Sequence, residues 1–577
     1  MNVDARAHLV AVARGDAAPD LVLAGGRVFC AFTREWLEAD VAVAGGRIAG
    51  VAAGWEPGAA ETVDVRGRHV VPGFIDAHMH IESSKLTPAE FARAVVPHGT
   101  TAVVCDPHEL ANVLGPDGVH WMLDASDGIP LSVFVMAPSC VPASAFESPR
   151  RSLAVGDMES ILRRRRALGV AEMMNFPGVI AGDEAVLERI AARGATHVDG
   201  HAPGVVGRAL DAYVAAGIRS DHEATTWEEA LEKRRRGMWV LIREASNARN
   251  LRALLELVRR HGPQHCAFCT DDREPDELVH EGSIDAMCRT AVAEGIAAED
   301  VLLMATLHPA RCHGLMDLGA VAPGHRADLL VLDDLESFRP SLVYKDGVLA
   351  ARDGAALAFE TPPVPDWLRQ TVRTLPLAED DLALPAPGGE RVRVIGLVPE
   401  QLITERLELE PTLDGDRVVA DPARDLAKIA VVERHHATGR VGKGLVTGFG
   451  LREGAFASTV AHDAHNLVVV GVDDADMAVC AARLAEIGGG IVVARDGAIA
   501  GELALPVAGL LADAPVERVV ADLEACHERL REQGVTVGAP FMTLSFLALS
   551  VIPALKITDR GLVDVERFEL VGLGVGE

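Results

Sequence analysis

His78 and His80 stand two residues apart at the exit of an apolar run, Val71-Pro-Gly-Phe-Ile-Asp-Ala-His-Met-His80. Side chains at i and i+2 of a strand point the same way, so two imidazoles placed there can share one metal ion. Glu172, His201, His222 and Asp271 each end a later apolar run of their own. Four imidazoles and two carboxylates suffice for two divalent ions ~3.5–4 Å apart, bridged by hydroxide. In such a centre His78, His80 and Asp271 hold one ion, His201 and His222 hold the other, and Glu172 bridges them. Metal-bound water titrating near ~7 is a nucleophile at neutral pH, strong enough for hydrolytic attack on an unreactive carbon. Asp271 is the expected carrier of the water proton to the leaving group. Glu82, two residues beyond the histidine pair, is expected at the same mouth, passing a proton to the substrate or hydrogen-bonding a ligating histidine. Asp106, His108 and Glu109 either shape the pocket or support the ligands. Asp272 competes with Asp271, but consecutive strand residues face opposite ways, which favours Asp271. His98, His120, His197 and His261 stand alone and read as structural.

These side chains need strands that end at a common place. Between about 71 and 314 eight short apolar runs alternate with helical stretches, ending at His78-Met-His80, Cys105-Asp-Pro-His-Glu109, Ala137-Pro-Ser139, Glu172-Met-Met174, Asp199-Gly-His201, Ser220-Asp-His-Glu223, Arg243-Glu-Ala-Ser246 and Thr270-Asp-Asp272. Helices are expected at 88–96, 158–168, 184–193, 205–216, 227–236 and 248–260. Eight strand–helix repeats predict an α/β fold, a (β/α)8 barrel with its chemistry at the C-terminal strand ends. Residues 1–70 read as a short helix, 7–13, followed by β hairpins, and strands return at 315–360. Both flanks are expected to meet in one small β-sandwich around the inserted barrel. Proline-rich Thr361-Pro-Pro-Val-Pro365 marks a linker into a C-terminal α+β domain, 361–577, with strands at 391–397, 429–433, 466–472 and 491–494 and helices at 474–486 and 516–533. Its His462, Asp463 and His465 are expected to line the substrate mouth. The basic run 163–166 reads as a solvated helix face.

Bulk properties point to the same class. The 577 residues carry a formal charge of −29, which disfavours a nucleic-acid surface and suits a small-molecule enzyme. No stretch has the ~20 apolar residues of a membrane span, and the first residues lack a signal layout, so the reading is cytoplasmic, with neither membrane nor nucleic acid as partner. Nine cysteines without a CxxC framework read as reduced interior thiols, Cys266 and Cys269 among them.

The motifs together resemble the amidohydrolase superfamily, and within it the bacterial adenine deaminases. Pro72-Gly-Phe-Ile-Asp-Ala-His-Met-His-Ile-Glu-Ser-Ser84, Asp106-Pro-His-Glu109, Glu172-Met-Met-Asn-Phe-Pro-Gly178, Asp199-Gly-His-Ala-Pro203 and Ser220-Asp-His-Glu223 look like those of that family. So do Val432-Glu-Arg-His-His436, Gly444-Leu-Val-Thr-Gly-Phe-Gly450, Ala457-Ser-Thr-Val-Ala-His-Asp-Ala-His-Asn466, Leu505-Pro-Val-Ala-Gly509 and Pro540-Phe-Met-Thr-Leu-Ser-Phe546, which cover the C-terminal domain. The resemblance implies deamination of adenine to hypoxanthine and ammonia in purine salvage, with two divalent ions (Mn, Fe or Zn, Mn favoured). Glu172 then stands where many superfamily members carry a carbamylated lysine. A cyclic-amide hydrolase, or a deaminase of an N6-substituted adenine, is the alternative. Ala464 departs from the family's usual serine, which bears on specificity. The expected assembly is a homo-oligomer, a dimer before others.

Overall fold

The computed structural model describes residues 1–55, 58–399 and 401–576. Two parallel sheets carry the middle of the chain. Phe74–Met79, Thr100–Cys105, Ser132–Ala137, Ala167–Met173 and Val198–Gly200 pair in sequence order, and Ser220–Asp221, Trp239–Arg243 and Cys266–Cys269 form the second sheet. They curl toward each other at both seams. At one, Arg219 N donates to the Val198 carbonyl over 3.0 Å. At the other, Asp271 N donates to the His78 carbonyl (3.1 Å) and His80 N to that of Asp271 (3.2 Å). The Asp76 carboxylate takes Thr270 Oγ1 at 2.5 Å and Thr270 N at 3.1 Å across the same seam. Alternate residues explain the curl: Ile75, Ala102, Val104, Phe134, Met136 and Ala171 pack inward, while Phe74, Val103, Val133, Val135 and Val170 pack against the surrounding helices. Ala310, Leu315 and Leu318 close the inner cluster on one side, and Cys312 packs on Ala77, Leu241, Ala267 and Cys269 on the other.

Helices fill the crossovers at Pro88–Val95, Val155–Leu162, Glu184–Ile190, Gly207–Ala215, Trp227–Arg235 and Leu251–His261. One expectation fails here. The helix foreseen over 158–168 stops at Leu162, and Ala167 and Leu168 already belong to a strand. The basic run between them is a turn and not a solvated helix face. Arg166 is drawn inward to the carbonyls of Ser126 (3.3 Å) and Val133 (3.2 Å), because that end of the strand leaves carbonyls unpaired. The first helix, Val3–Ala13, starts earlier than expected because Asn2 Oδ1 caps Ala5 N at 2.9 Å.

The two flanks share one nine-stranded sheet, joined where His69–Pro72 pairs antiparallel with Leu329–Leu332. The C-terminal part is an eight-stranded sheet with helices Asp474–Ile487 and Val516–Glu532 on it. Strands Val392–Leu397, Ala427–Val432, Leu467–Gly471 and Gly490–Arg495 lie within a residue or two of their expected places. It docks on the parallel-strand part through buried polar contacts: Ala512 N to the Lys85 carbonyl (2.8 Å), Val516 N to Glu90 Oε2 (3.0 Å) and Ser144 Oγ to Ser550 Oγ (2.6 Å). All nine cysteines are free. Among the described residues no helix is long and apolar enough to cross a membrane.

Glu147 lies in this junction, accepting from Ser550 Oγ, and burial together with the nearby Asp463 charge pushes its carboxyl up to about 8. A raised carboxyl binds its proton more tightly in the fold than in the unfolded chain. Its stabilising contribution is therefore complete below about pH 4–5 and is lost as pH rises through about 8. Glu147→Gln is expected to flatten the fall in thermal stability over that window, measured as Tm against pH. An unchanged slope would place the carboxyl in water.

Candidate metal centre

Each of the six expected ligands leaves its strand at the same end, and hydrogen bonds from behind aim His78 and His80. His78 Nδ1–H donates to Asp199 Oδ2 at 2.7 Å and His80 Nδ1–H to the Asp106 carbonyl at 2.8 Å, so both Nε2 lone pairs face the centre. His78 Nε2 is buried with no protein hydrogen-bond partner. Tyr213 ties the fourth and fifth strand ends together, accepting from His201 N (3.0 Å) and donating to the Met173 carbonyl (2.8 Å). Gly200 allows the next approach: a Cβ there would sit 2.5 Å from the Ser220 carbonyl, which brings His201 and His222 to one place.

Glu172 stands at the middle. Its Oε2 is 2.7 Å from His201 Nδ1 and 3.3 Å from His222 Nε2, and its Oε1 is 3.5 Å from His80 Nε2. Asp271 Oδ1 lies 3.2 Å from His80 Nε2 and 3.6 Å from His78 Nε2. Burial opposes ionisation of both carboxyls, but the imidazoles around them, with Arg243 beside Asp271, hold both well below the usual carboxylate range. Buried imidazole lone pairs and two ionised carboxylates are a donor set that fits divalent cations. His78, His222 and Asp271 are close enough to share an ion, as are His80, Asp106, His108 and Glu172. The His78 and His222 rings stack at 4.0 Å.

The cleft above is lined by His80, His108, Glu172, Met174, His201, His222, Glu223, Asp271 and Asp272 from the parallel strands, and by Leu402, His462, Asp463, Phe546 and Leu549 from the C-terminal part. His462 stacks on Phe546 at 4.3 Å, and Asp463 Oδ1 is 3.6 Å from His108 Nε2. Glu82, His465 and Asp272 differ from expectation, while Glu109 falls on the supporting side of its two alternatives. Glu82 does not line the cleft: the chain turns into a tight helix at Ile81–Ser84, so strand alternation ends before it, and its buried carboxylate takes Leu110 N at 3.3 Å. Burial pushes that carboxyl up to about 7, opposed by His80 and His108. Glu109 and His465 also lie behind the wall, 3.9 Å apart, with Ser83 Oγ 2.9 Å from Glu109 Oε1. Asp272 faces the cleft and not the opposite side, because the strand ends at Cys269 and Asp271 takes a left-handed φ of 56°. Ser83 Oγ donates to it.

Sequence reasoning passed over Asp199, Glu223 and Arg243. Arg243 is fully buried, pairing with Glu223 and, at 3.0 Å, with Asp271 Oδ2. Glu223 Oε1 in turn sits 3.5 Å from His222 Nε2. Adjacency to His201 and His222 was the available signal for the two acids, and the end of the seventh run for Arg243. The roof residues Leu402, Phe546 and Leu549 had none.

A curled parallel sheet with histidines and carboxylates at its strand ends is the architecture of a metal-dependent hydrolase. The Amidohydrolase family matches residues 69–350, and the Adenine deaminase C-terminal domain matches 401–569. "Adenine deaminase 2" of Carboxydothermus hydrogenoformans is 47% identical over 98% of each chain. "Adenine deaminase" of Cereibacter sphaeroides is 48% identical over 98% of this chain and 99% of its own, and that of Desulfatibacillum aliphaticivorans 45% over 98% and 99%. The chain belongs to the adenine deaminase family. Membership implies a divalent metal.

Removing Asp199 frees the His78 ring to rotate and to change tautomer. Asp199→Ala is expected to cost 10–100-fold in metal affinity or activity, the usual range for a carboxylate behind a ligating histidine. Metal titration of the apoprotein checks it, and wild-type affinity would mean that His78 is not a ligand.

Proposed function

We propose that this protein hydrolyses adenine to hypoxanthine and ammonia, using two divalent ions held by His78, His80, Glu172, His201, His222 and Asp271. The observation that carries the reading is Glu172, whose two oxygens face separate imidazole groups across one cleft, roofed by the family's own C-terminal domain. Bound divalent ions acidify water enough to supply a nucleophile at neutral pH. The chain does the rest. Arg243 anchors Asp271 Oδ2, leaving Oδ1 to take the proton of the attacking water and return it to the departing amine. The stacked His462 and Phe546, with Leu402 and Leu549, form a flat apolar wall suited to a planar base. Asp463, His108 and Asp272 present polar atoms to ring nitrogens, while Glu82, Glu109 and His465 brace them from behind. Ala464 is buried beside the lining residue Asp463. The cleft holds only about 20 Å³, so a purine enters by displacing the roof.

The same reading includes a closed (β/α)8 barrel over 71–314, a sandwich from 1–70 and 315–360, the C-terminal domain over 361–577, manganese as the working ion, a cytoplasmic place in purine salvage, and a dimer. A second substrate, an N6-substituted adenine, is favoured by one feature. A cavity of about 560 Å³, lined by Cys140, Phe176, Val551, Pro553 and Phe568 among others, shares Met174 with the cleft and has room for a substituent.

Ammonia release from adenine by metal-reconstituted protein tests the proposal. Fully metallated protein that leaves adenine intact and opens a cyclic amide would refute it. Glu172→Gln is expected to lose metal and activity together, since a neutral amide cannot balance two cations. Asp271→Asn should keep much of its metal yet lose ~10²–10⁴ in turnover. Asp272→Asn should act mainly on KM. A dead but metal-replete Asp272→Asn, beside an active Asp271→Asn, would exchange their roles.

A further inference from the structure

Beyond Asp199, on the side away from His78, lies a second group of donor side chains that the proposed reaction does not use. His197, Cys312 and His313 are all buried, and one donor atom from each lies within 4.8 Å of the other two. The two rings meet edge-on with centroids 4.9 Å apart. Hydrogen bonds decide which nitrogen each ring offers. His313 donates Nε2–H to the Ala77 carbonyl at 2.8 Å, so its Nδ1 keeps a lone pair, and that nitrogen is buried without a partner. Ser220 Oγ gives its single proton to Asp199 Oδ1 at 2.5 Å and must therefore accept from His197 Nε2–H at 2.6 Å. His197 therefore carries its proton on Nε2 and an acceptor lone pair on Nδ1.

Both rings are neutral at ordinary pH, since burial lowers each of them, His313 to about 3. Two acceptor nitrogens thus share a pocket with one thiol, whose single proton can satisfy only one of them. An unpaired buried acceptor such as His313 Nδ1 is unfavourable, and a cation bound there would satisfy it while His197 supplies a second nitrogen.

We propose that His197, Cys312 and His313 form a second metal site, separate from the cleft, that takes a borderline or soft d-block cation such as Zn(II). Two imidazoles and a thiolate select such an ion over Mg or Ca, and three protein donors leave the fourth tetrahedral position to water. On binding, the Cys312 S–H bond breaks, its proton passes to solvent, and the sulfur–metal bond forms. The resulting unit carries one net positive charge, which the neighbouring Asp199 carboxylate faces through Ser220. The ion would pin the end of helix Leu307–Cys312 to the strands and fix the His197–Ser220–Asp199 chain that ends on His78.

Cobalt(II) substitution of the full-length protein tests this, because the cleft ligands are all nitrogen and oxygen donors and only a cysteine site yields a thiolate-to-metal charge-transfer band in the near ultraviolet. Wild-type protein is expected to show the band, and Cys312→Ser to lose it together with about one metal equivalent per chain and the matching proton release. His197→Gln should behave alike and serves if Cys312→Ser does not fold. A wild-type spectrum without the band at metal saturation overturns the proposal, as does a band retained in Cys312→Ser. Neither result depends on adenine turnover, so this site and the proposed activity fail independently.

Discussion

Burying several carboxylates and imidazoles in one narrow cleft is tolerable only if their charges are mutually neutralised, and the surrounding architecture follows from that requirement. Glu172 and Asp271 remain ionised with almost no water access because histidines crowd both and Arg243 braces the second. A lone ionised carboxylate there would take up a proton instead. Two of the imidazoles are in turn held from behind, His78 by Asp199 and His80 by the Asp106 carbonyl, and Tyr213 ties down the backbone at His201. This outer layer gives the donors direction before any ion arrives, so less of the binding free energy goes into ordering side chains.

The same electrostatics links distant parts of the chain. Asp199 serves His78 with one oxygen and Ser220 with the other, and Ser220 passes the constraint to His197. Arg243 joins the sixth and eighth strand ends through Glu223 and Asp271. The parallel sheet places the groups, but these bridges set their spacing, because the fifth and sixth strands are too short to hold register by backbone pairing alone.

The C-terminal part supplies what the strand ends lack. The strands present charge and hydrogen-bonding groups, whereas Phe546, Leu402, Leu549 and the His462 ring present flat or apolar surface. A planar heteroaromatic base needs both kinds of wall. The docking contacts combine buried polar pairs, Ser144 with Ser550 and Val516 N with Glu90, with an apolar cluster that runs from the parallel-strand part into the C-terminal part.

The residue order alone determined a good deal. Apolar runs of strand length, most of them closed by a histidine or acid, reveal the parallel strands and the histidines and carboxylates that gather at their ends, because hydrophobic periodicity and residue type are both written locally. The C-terminal strands and helices were legible for the same reason. What only the tertiary structure decided begins where that periodicity stops. Past Met79 and Cys269 the backbone leaves the strand, so the directions of Glu82 and Asp272 depend on turns that no alternation rule covers. Asp199, Glu223 and Arg243 acquire meaning only from what they face, as do Leu402 and Phe546, which come from far along the chain. His197 looked solitary in the sequence and became a partner of Cys312 and His313 only when more than a hundred intervening residues folded back beneath the strands, because contacts between remote segments are set by packing and not by spacing.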